Sequence, residues 1–228
     1  MLRRVGSSLT CGLCLISLCA IARPALAQTL TDEHAWTGVA LQGRLAKASP
    51  WRWLAEGQLR TRNESRDEDQ LIERAALSRD LPAHVNLSLG YVRVGTRTDA
   101  GGVLHENRIV EQLTWGAGAI SLRTRVEERS IENNSGTSMR VRQQLRYSRP
   151  LSAGGRTSFV GWDEASFHAN TTTRNARGFD QNRAFAGIGR PLGGLARLEI
   201  GYLNQYLRSR TAPNHLNHVL SAIVTLAF

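Results

Sequence analysis

The sequence predicts an all-β fold, an antiparallel transmembrane β-barrel of ten to twelve strands, and three observations support this fold class. Strand-like segments of roughly a dozen residues recur along the chain, about twice the usual strand length of soluble proteins. Their connections alternate between short turns and longer polar loops, as in outer-membrane barrels with short periplasmic turns and longer outer loops. Several strands also have one charged face and one apolar face.

The amino-terminal segment is predicted to be a secretory signal peptide that is removed from the exported protein. A start with two arginines precedes an apolar run over residues 9–21, and the triplet at 25–27 has the small-x-small form of a cleavage site. We therefore expect residues 1–27 to be cleaved and residues 28–228 to form the barrel.

The composition of the exported part excludes several classes of protein. Cys11, Cys14 and Cys19 all lie in the signal segment, which leaves neither a disulfide scaffold nor a thiolate metal site. The net charge of the full sequence is +10, and of its 29 basic residues only Lys47 is a lysine. The arginines alternate with apolar residues along strands of an exported chain, so we expect no nucleic-acid partner.

Eleven segments have strand character, although single-chain bacterial barrels have even strand numbers. They span residues 36–46, 51–62, 70–80, 84–96, 106–116, 119–131, 138–149, 156–167, 179–190, 195–208 and 216–228. With eleven wall strands the chain would start at the outer rim. The favoured count is therefore ten, without 36–46 as a wall strand, and twelve is the alternative.

The last strand shows the apolar face most clearly. Leu220, Ala222, Val224 and Leu226 share one side, and the chain ends on Phe228. A closing barrel strand places such a face on lipid and its aromatic end at the interface. We expect this strand to be recognised by the barrel-insertion machinery. A core strand of a soluble periplasmic β-domain is the alternative.

Charged side chains share one face in several strands, and in a membrane barrel that face lines the lumen. The predicted lumen residues are Glu56, Gln58, Arg60, Arg108, Gln112, Arg123, Arg125, Glu127, Arg142, Arg146, Arg183, Arg197 and Glu199. A barrel of this size has a narrow interior that side chains largely fill. This set predicts a structural polar core or, because arginines outnumber acids, a narrow anion-preferring pore.

Aromatic residues gather beside the short turns and predict a girdle at the periplasmic interface. The girdle residues are Trp51, Trp53, Trp115, Tyr147 and Phe228. The outward faces are expected to contact outer-membrane lipid, and basic outer loops to contact lipopolysaccharide phosphates. We expect a monomeric protein of the cell outer membrane.

One enzymatic alternative is a lipid-modifying enzyme, in which His84 would act as a base for Ser88. Four residues along a strand span about 13 Å, so the two side chains would need partners from neighbouring strands. His215 and His218 are a close pair, but two histidines make a weak metal site. We predict no enzymatic activity, no metal and no cofactor.

Short motifs follow one another in a fixed order along the chain. They are Trp36-Thr37-Gly38, Glu56-x-Gln58-x-Arg60, Gly90-Tyr91, Glu106-Asn107-Arg108, Arg123-x-Arg125-x-Glu127-x-Arg129, Arg142-x-x-Leu145-Arg146-Tyr147, Phe179-Asp180-Gln181-Asn182-Arg183 and Leu198-Glu199-x-Gly201-Tyr202. This ordered set resembles a family of Gram-negative outer-membrane proteins designated a domain of unknown function, number two-four-nine-zero. The resemblance implies a barrel over nearly the whole exported chain, and it implies no catalytic residues.

Overall fold

The computed structural model describes residues 29–62, 70–98, 100–209 and 213–228, and within them eleven strands form one closed barrel. The predicted signal peptide lies outside the described residues. The strands are β1 (Thr29–Arg44), β2 (Trp51–Arg62), β3 (Gln70–Leu81), β4 (Val85–Arg97), β5 (Val103–Ala117), β6 (Ile120–Ile131), β7 (Ser138–Pro150), β8 (Ser158–His168), β9 (Gly178–Gly193), β10 (Ala196–Leu207) and β11 (Asn214–Ala227). No helix among the described residues is long and apolar enough to cross a membrane.

The strand count of eleven shows that the favoured prediction of ten is wrong. β1 is a full wall strand, paired with β2 on one side and with β11 on the other. It starts well before the predicted 36–46 segment. The sequence pattern did not predict residues 29–35 as strand because they are mostly polar and lack the apolar alternation that marks the other strands.

The barrel closes through a parallel seam, so the prediction of a wholly antiparallel sheet is also wrong. Each turn reverses the chain, and strands β1 and β11 therefore point the same way when their number is odd. Only a parallel ladder can then join them, and it runs from Thr29↔Asn214 to Gln42↔Ala227. The other strand pairs, such as β10 with β11, are antiparallel.

Two rims result from this up-and-down order, a short-turn rim and a long-loop rim. At the short-turn rim, β9 and β10 are joined through Gly193 and Gly194, whose φ angles of 116° and 52° favour glycine. At the long-loop rim, the connection over residues 98–102 is no longer than the short-turn connection over 45–50. The alternation of loop lengths is therefore less regular than predicted.

Side chains on each strand alternate between the outside and the inside of the barrel. Leu89, Leu145 and Leu220 point outward and are 58%, 52% and 60% exposed. Glu127 and Glu164 point inward and are each 1% exposed. Soluble proteins place leucine inside and carboxylates outside, so the polarity of this barrel is inverted.

Part of the interior is nevertheless apolar. A buried cluster on β1 and β8–β11 contains Trp36, Val160, Phe185, Leu203 and Val219. The ring of Trp162 packs against this cluster and stacks on that of Phe185, with 5.3 Å between the ring centroids. The charged part of the lumen is therefore bounded by an apolar wall on one side.

Two glycines on the inner faces of β9 and β10 leave space for the ring of Phe185. Gly187 and Gly201 are cross-strand partners, and a Cβ on Gly201 would lie 2.4 Å from the Ala186 oxygen and 2.7 Å from Cζ of Phe185. Distances this short force the backbone or the ring to move.

We expect Gly201→Val to lower the free energy of unfolding by about 1–3 kcal/mol, because overpacking strains a filled interior. Urea unfolding of the purified protein measures this loss. Gly57→Val is the matched control, since no atom lies within 4 Å of a Cβ placed there. Equal losses in the two variants would contradict the packing argument.

Candidate functional site: the charged lumen

The predicted lumen residues all lie inside the barrel. Most of them line one cavity of about 240 Å³ at mid-height, which also touches Trp36, Trp162 and Glu164. Gln112 accepts hydrogen bonds from the guanidinium group of Arg125. Arg197 lies over Gly189 on the inner face of β9. The period-two alternation of the strands thus brings together charges that are far apart in sequence.

Glu127 is the centre of the ionic network. One of its oxygens, Oε2, accepts hydrogen bonds from Arg140 Nε at 2.9 Å and Nη2 at 2.6 Å. The other, Oε1, accepts from Arg142 Nη1 at 2.7 Å. Arg125 and Arg108 lie at 3.7 and 3.9 Å. A single carboxylate therefore lies within ion-pair distance of four guanidinium groups, two of which donate hydrogen bonds to it.

Glu164 is the second centre of the ionic network, and it is not among the lumen residues that the sequence predicts. Its carboxylate accepts hydrogen bonds from Arg142 at 2.5 Å and from Arg123 at 2.6 Å. Arg142 therefore links the two centres. The face of Glu164 was hard to predict because β8 also turns Val160 and Trp162 inward, which removes the alternation between polar and apolar residues.

Further ion pairs extend the network beyond the predicted set. Glu106 is bound by Arg129 and, at 2.7 Å, by Arg108 Nε. Arg74 Nη1 lies 3.6 Å from Glu56, and Arg146 is paired with Glu199. Arg129 could have been found from the sequence. Arg129 lies on the charged face that the alternation of β6 predicts, two residues from Glu127. Arg74 lies on β3, where both faces mix charged and apolar residues, so an even spacing from Ile72 alone did not mark it as inward.

A β-bulge turns one more carboxylate into the lumen. The register of β8 and β9 shifts between Ser166 and Phe167, and the Asp180 side chain then reaches Arg140 Nη1 at 3.2 Å and His168 Nε2 at 3.3 Å. A bulge cannot be predicted from alternation, so this residue was missed.

The same carboxylate belongs to a serine–histidine–aspartate chain, since His168 Nδ1 lies 3.3 Å from Ser138 Oγ. Three features of these linked side chains differ from those of a hydrolase triad. Ser138 is 0% exposed, its hydroxyl also accepts from Asn175 Nδ2, and Asp180 is tied to Arg140. In this conformation a substrate has no access to the hydroxyl. We therefore interpret the linked Ser138, His168 and Asp180 side chains as a structural connection between β7, β8 and the 169–177 loop.

His84 and Ser88 are not arranged as the sequence predicts, on one face of one strand. β4 begins at Val85, so His84 lies in a turn with a φ angle of 60°. Ser88 is on the inner face of β4 and lines a cavity of about 430 Å³ at the short-turn rim. The two residues therefore do not share a strand face.

Arginine outnumbers acid inside the part of the barrel that the structure describes. The inward arginines are Arg44, Arg52, Arg60, Arg74, Arg108, Arg123, Arg125, Arg129, Arg140, Arg142, Arg146, Arg183 and Arg197, and the inward acids are Asp32, Glu56, Asp80, Glu106, Glu127, Glu164, Asp180 and Glu199. The interior therefore keeps a positive charge that its own carboxylates do not balance.

Comparison with known proteins confirms the family that the ordered motifs of the sequence predict. Residues 33–217 match the family described as "Protein of unknown function (DUF2490)". The chain belongs to this family. An uncharacterised protein of Methylorubrum extorquens is 34% identical over 218 residues, which cover 92% of this chain and 94% of the relative. No solved structure matches the chain.

The predicted aromatic girdle of this DUF2490 barrel lies at the short-turn rim. Trp51, Trp115 and Tyr147 point outward and are each 39% exposed, and Phe228 is 65% exposed. The Trp53 ring stacks on that of Phe228, with 6.2 Å between the centroids. Amphipathic rings at one height are the arrangement found at a membrane interface.

Among the described residues of the DUF2490 chain, no group of three or more His, Cys, Asp or Glu side chains is placed to hold a metal ion. His218 is on the outer face of β11, where Nδ1 is 2.5 Å from the Tyr202 hydroxyl. His215 is three residues away and faces the other side of the strand.

Proposed function

We propose that this DUF2490 protein is an integral barrel of the cell outer membrane that provides a narrow path for small anions. The observation that carries the proposal is the excess of buried arginine over acid, inside a barrel whose outer wall is mostly apolar. Such a wall is stable against hydrocarbon, whereas a soluble protein would leave it exposed to water.

Placement in the outer membrane defines the partners of the proposed barrel. Its outward leucines contact lipid, and the girdle of Trp51, Trp115 and Tyr147 rests at the periplasmic interface. The opposite rim then faces the lipopolysaccharide leaflet. The last strand, β11, carries the apolar face that the insertion machinery would recognise during assembly of the monomer.

The preference for anions follows from the cost of burying charge. A guanidinium group away from water without a counter-charge is costly, and small anions from solution can supply that counter-charge. The same positive potential repels cations. Arg74 lines both the short-turn cavity and the mid-height cavity, so it lies between two successive compartments of the path.

Planar-bilayer recordings test this function. We expect a small conductance whose reversal potential in a KCl gradient shows preference for chloride. Arg125→Gln should reduce that preference, because Arg125 hydrogen-bonds to neutral Gln112 and its loss removes a positive charge. Arg93→Gln is the matched control, since Arg93 is exposed on the outer face.

Cation preference, or equal preference in the parent and the Arg125→Gln variant, contradicts the anion path. The second candidate function is a sealed structural barrel, which is favoured by the close binding of Arg140 and Arg142 to Glu127. A folded, inserted protein without measurable conductance would establish this candidate in place of the pore.

A further inference from the structure

Two of the lumen arginines lie against the same indole ring. The guanidinium carbon of Arg60 is 3.9 Å from the centroid of the Trp36 ring, and that of Arg183 is 5.1 Å away. Cations are attracted to the face of an indole, which holds both groups in place. Because the groups are of like charge, an anion bound beside them would be attracted by both.

Arg60 has little compensation of its own. Its guanidinium group donates one hydrogen bond, from Nη2 to the neutral Gln58 Oε1 at 3.2 Å. The acid on the same strand, Glu56, is engaged by Gln58 Nε2 at 2.5 Å and by Arg74. The Nε of Arg60 is buried and has no hydrogen-bond partner.

Arg183 is buried more deeply and is equally poor in partners. It is 8% exposed, and Nη1 lies 3.9 Å from Oε1 of Glu164, an oxygen that Arg142 already binds at 2.5 Å. Its buried Nε also lacks a hydrogen-bond partner. A buried donor without an acceptor destabilises the folded barrel, so an acceptor near this side chain would stabilise it.

The space next to these two side chains is open and central. Arg60, Arg183 and Trp36 line both the mid-height cavity of about 240 Å³ and a second cavity of about 270 Å³ toward the long-loop rim. Gln181 lines the second cavity, two residues from Arg183 on the inner face of β9, and its buried Nε2 also has no acceptor. Arg60 and Arg183 thus lie where the two cavities meet, and Gln181 borders the second cavity beside them.

We propose that Arg60 and Arg183, on either side of Trp36, form a binding site for a phosphate-sized oxyanion at this boundary. The planar fork of a guanidinium group matches two oxygens of such an ion, whereas a halide offers a single acceptor centre. This inference rests on the proposed anion path, within which the site would select among anions.

Calorimetric titration of the detergent-folded protein with inorganic phosphate, at constant ionic strength in chloride, tests the site. We expect saturable binding of one phosphate per barrel. Arg60→Gln and Arg183→Gln should each weaken it on the order of ten- to a hundredfold, because each removes charged hydrogen bonds. Arg190→Gln, which alters an exposed arginine on the outer face, should leave the affinity unchanged.

Arg60→Lys and Arg183→Lys keep the charge and remove the fork, so they separate a specific site from diffuse attraction. We expect them also to weaken phosphate binding, while a heat-modifiable band on gels shows that they fold. Binding that is no tighter than that of chloride, or that is equal in the Lys variants and the parent, overturns the site.

Bilayer recordings on the same samples keep the two proposals distinguishable. Anion-selective conductance without phosphate binding eliminates the site and leaves the path. Phosphate binding without conductance eliminates the path and leaves an oxyanion-binding barrel.

Discussion

Glu127→Gln is expected to lower the free energy of unfolding by about 3–5 kcal/mol, because removing one partner of a buried ion pair leaves the other charges uncompensated. The carboxylate is 1% exposed and binds Arg140 and Arg142 by hydrogen bonds of 2.6–2.9 Å. The amide of glutamine has nearly the same shape and lacks the negative charge. Urea unfolding of the protein in lipid vesicles measures the loss.

The neighbouring residue provides a matched control for this change. Glu128→Gln makes the same chemical substitution on the outer face, where the side chain is exposed. A second variant, Glu127→Gln with Arg140→Gln, removes opposite charges together and should recover part of the stability, which a double-mutant cycle quantifies. Equal stabilities of the Glu127→Gln variant and the parent would mean that the network is not a structural core.

Leu220→Arg has the second-largest expected effect, a loss of about 2–4 kcal/mol of unfolding free energy, because in the proposed membrane barrel a guanidinium group near the bilayer midplane must leave water. Leu220 lies in the middle of β11 and is 60% exposed on the outer face. Its ladder neighbours are Ala35 and Tyr202, which offer no carboxylate to the new charge. Folding titrations in lipid vesicles give the loss.

Leu195→Arg provides the control, since Leu195 is 53% exposed in the turn between β9 and β10 and lies beyond the end of the wall. We expect this variant to keep the stability of the parent. If both arginines were tolerated equally, the outer wall would be facing water, as in the soluble alternative.

Much of the fold could be predicted because strand length and period-two alternation are local properties of the sequence. The number of strands could not be predicted in the same way. β1 begins with polar residues, and the general rule of even strand numbers argued against it. Closure through a parallel ladder depends on the pairing of Thr29 with Asn214, a contact between the two ends of the barrel that no local pattern contains.

The site shows the same division between local and non-local information. Arg125, Glu127 and Arg142 lie on strands with clear alternation, and the sequence predicted their common face. Glu164 lies on a strand whose inner face mixes charged and apolar residues, and Asp180 enters through a bulge. The partnership of Arg60 with Trp36 and Arg183 depends on a seam that joins β1 and β2 to β9–β11, which the sequence did not reveal.

Spin-label accessibility tests most directly whether the apolar wall faces lipid. The predicted exported chain has no cysteine, so Leu145→Cys on the outer wall and Leu151→Cys in a short turn each give one label site. In vesicles we expect the label at position 145 to be accessible to oxygen and shielded from a water-soluble nickel complex, and the label at position 151 to be accessible to nickel. Nickel accessibility at position 145 equal to that at 151 would contradict the membrane barrel and the anion path proposed for it.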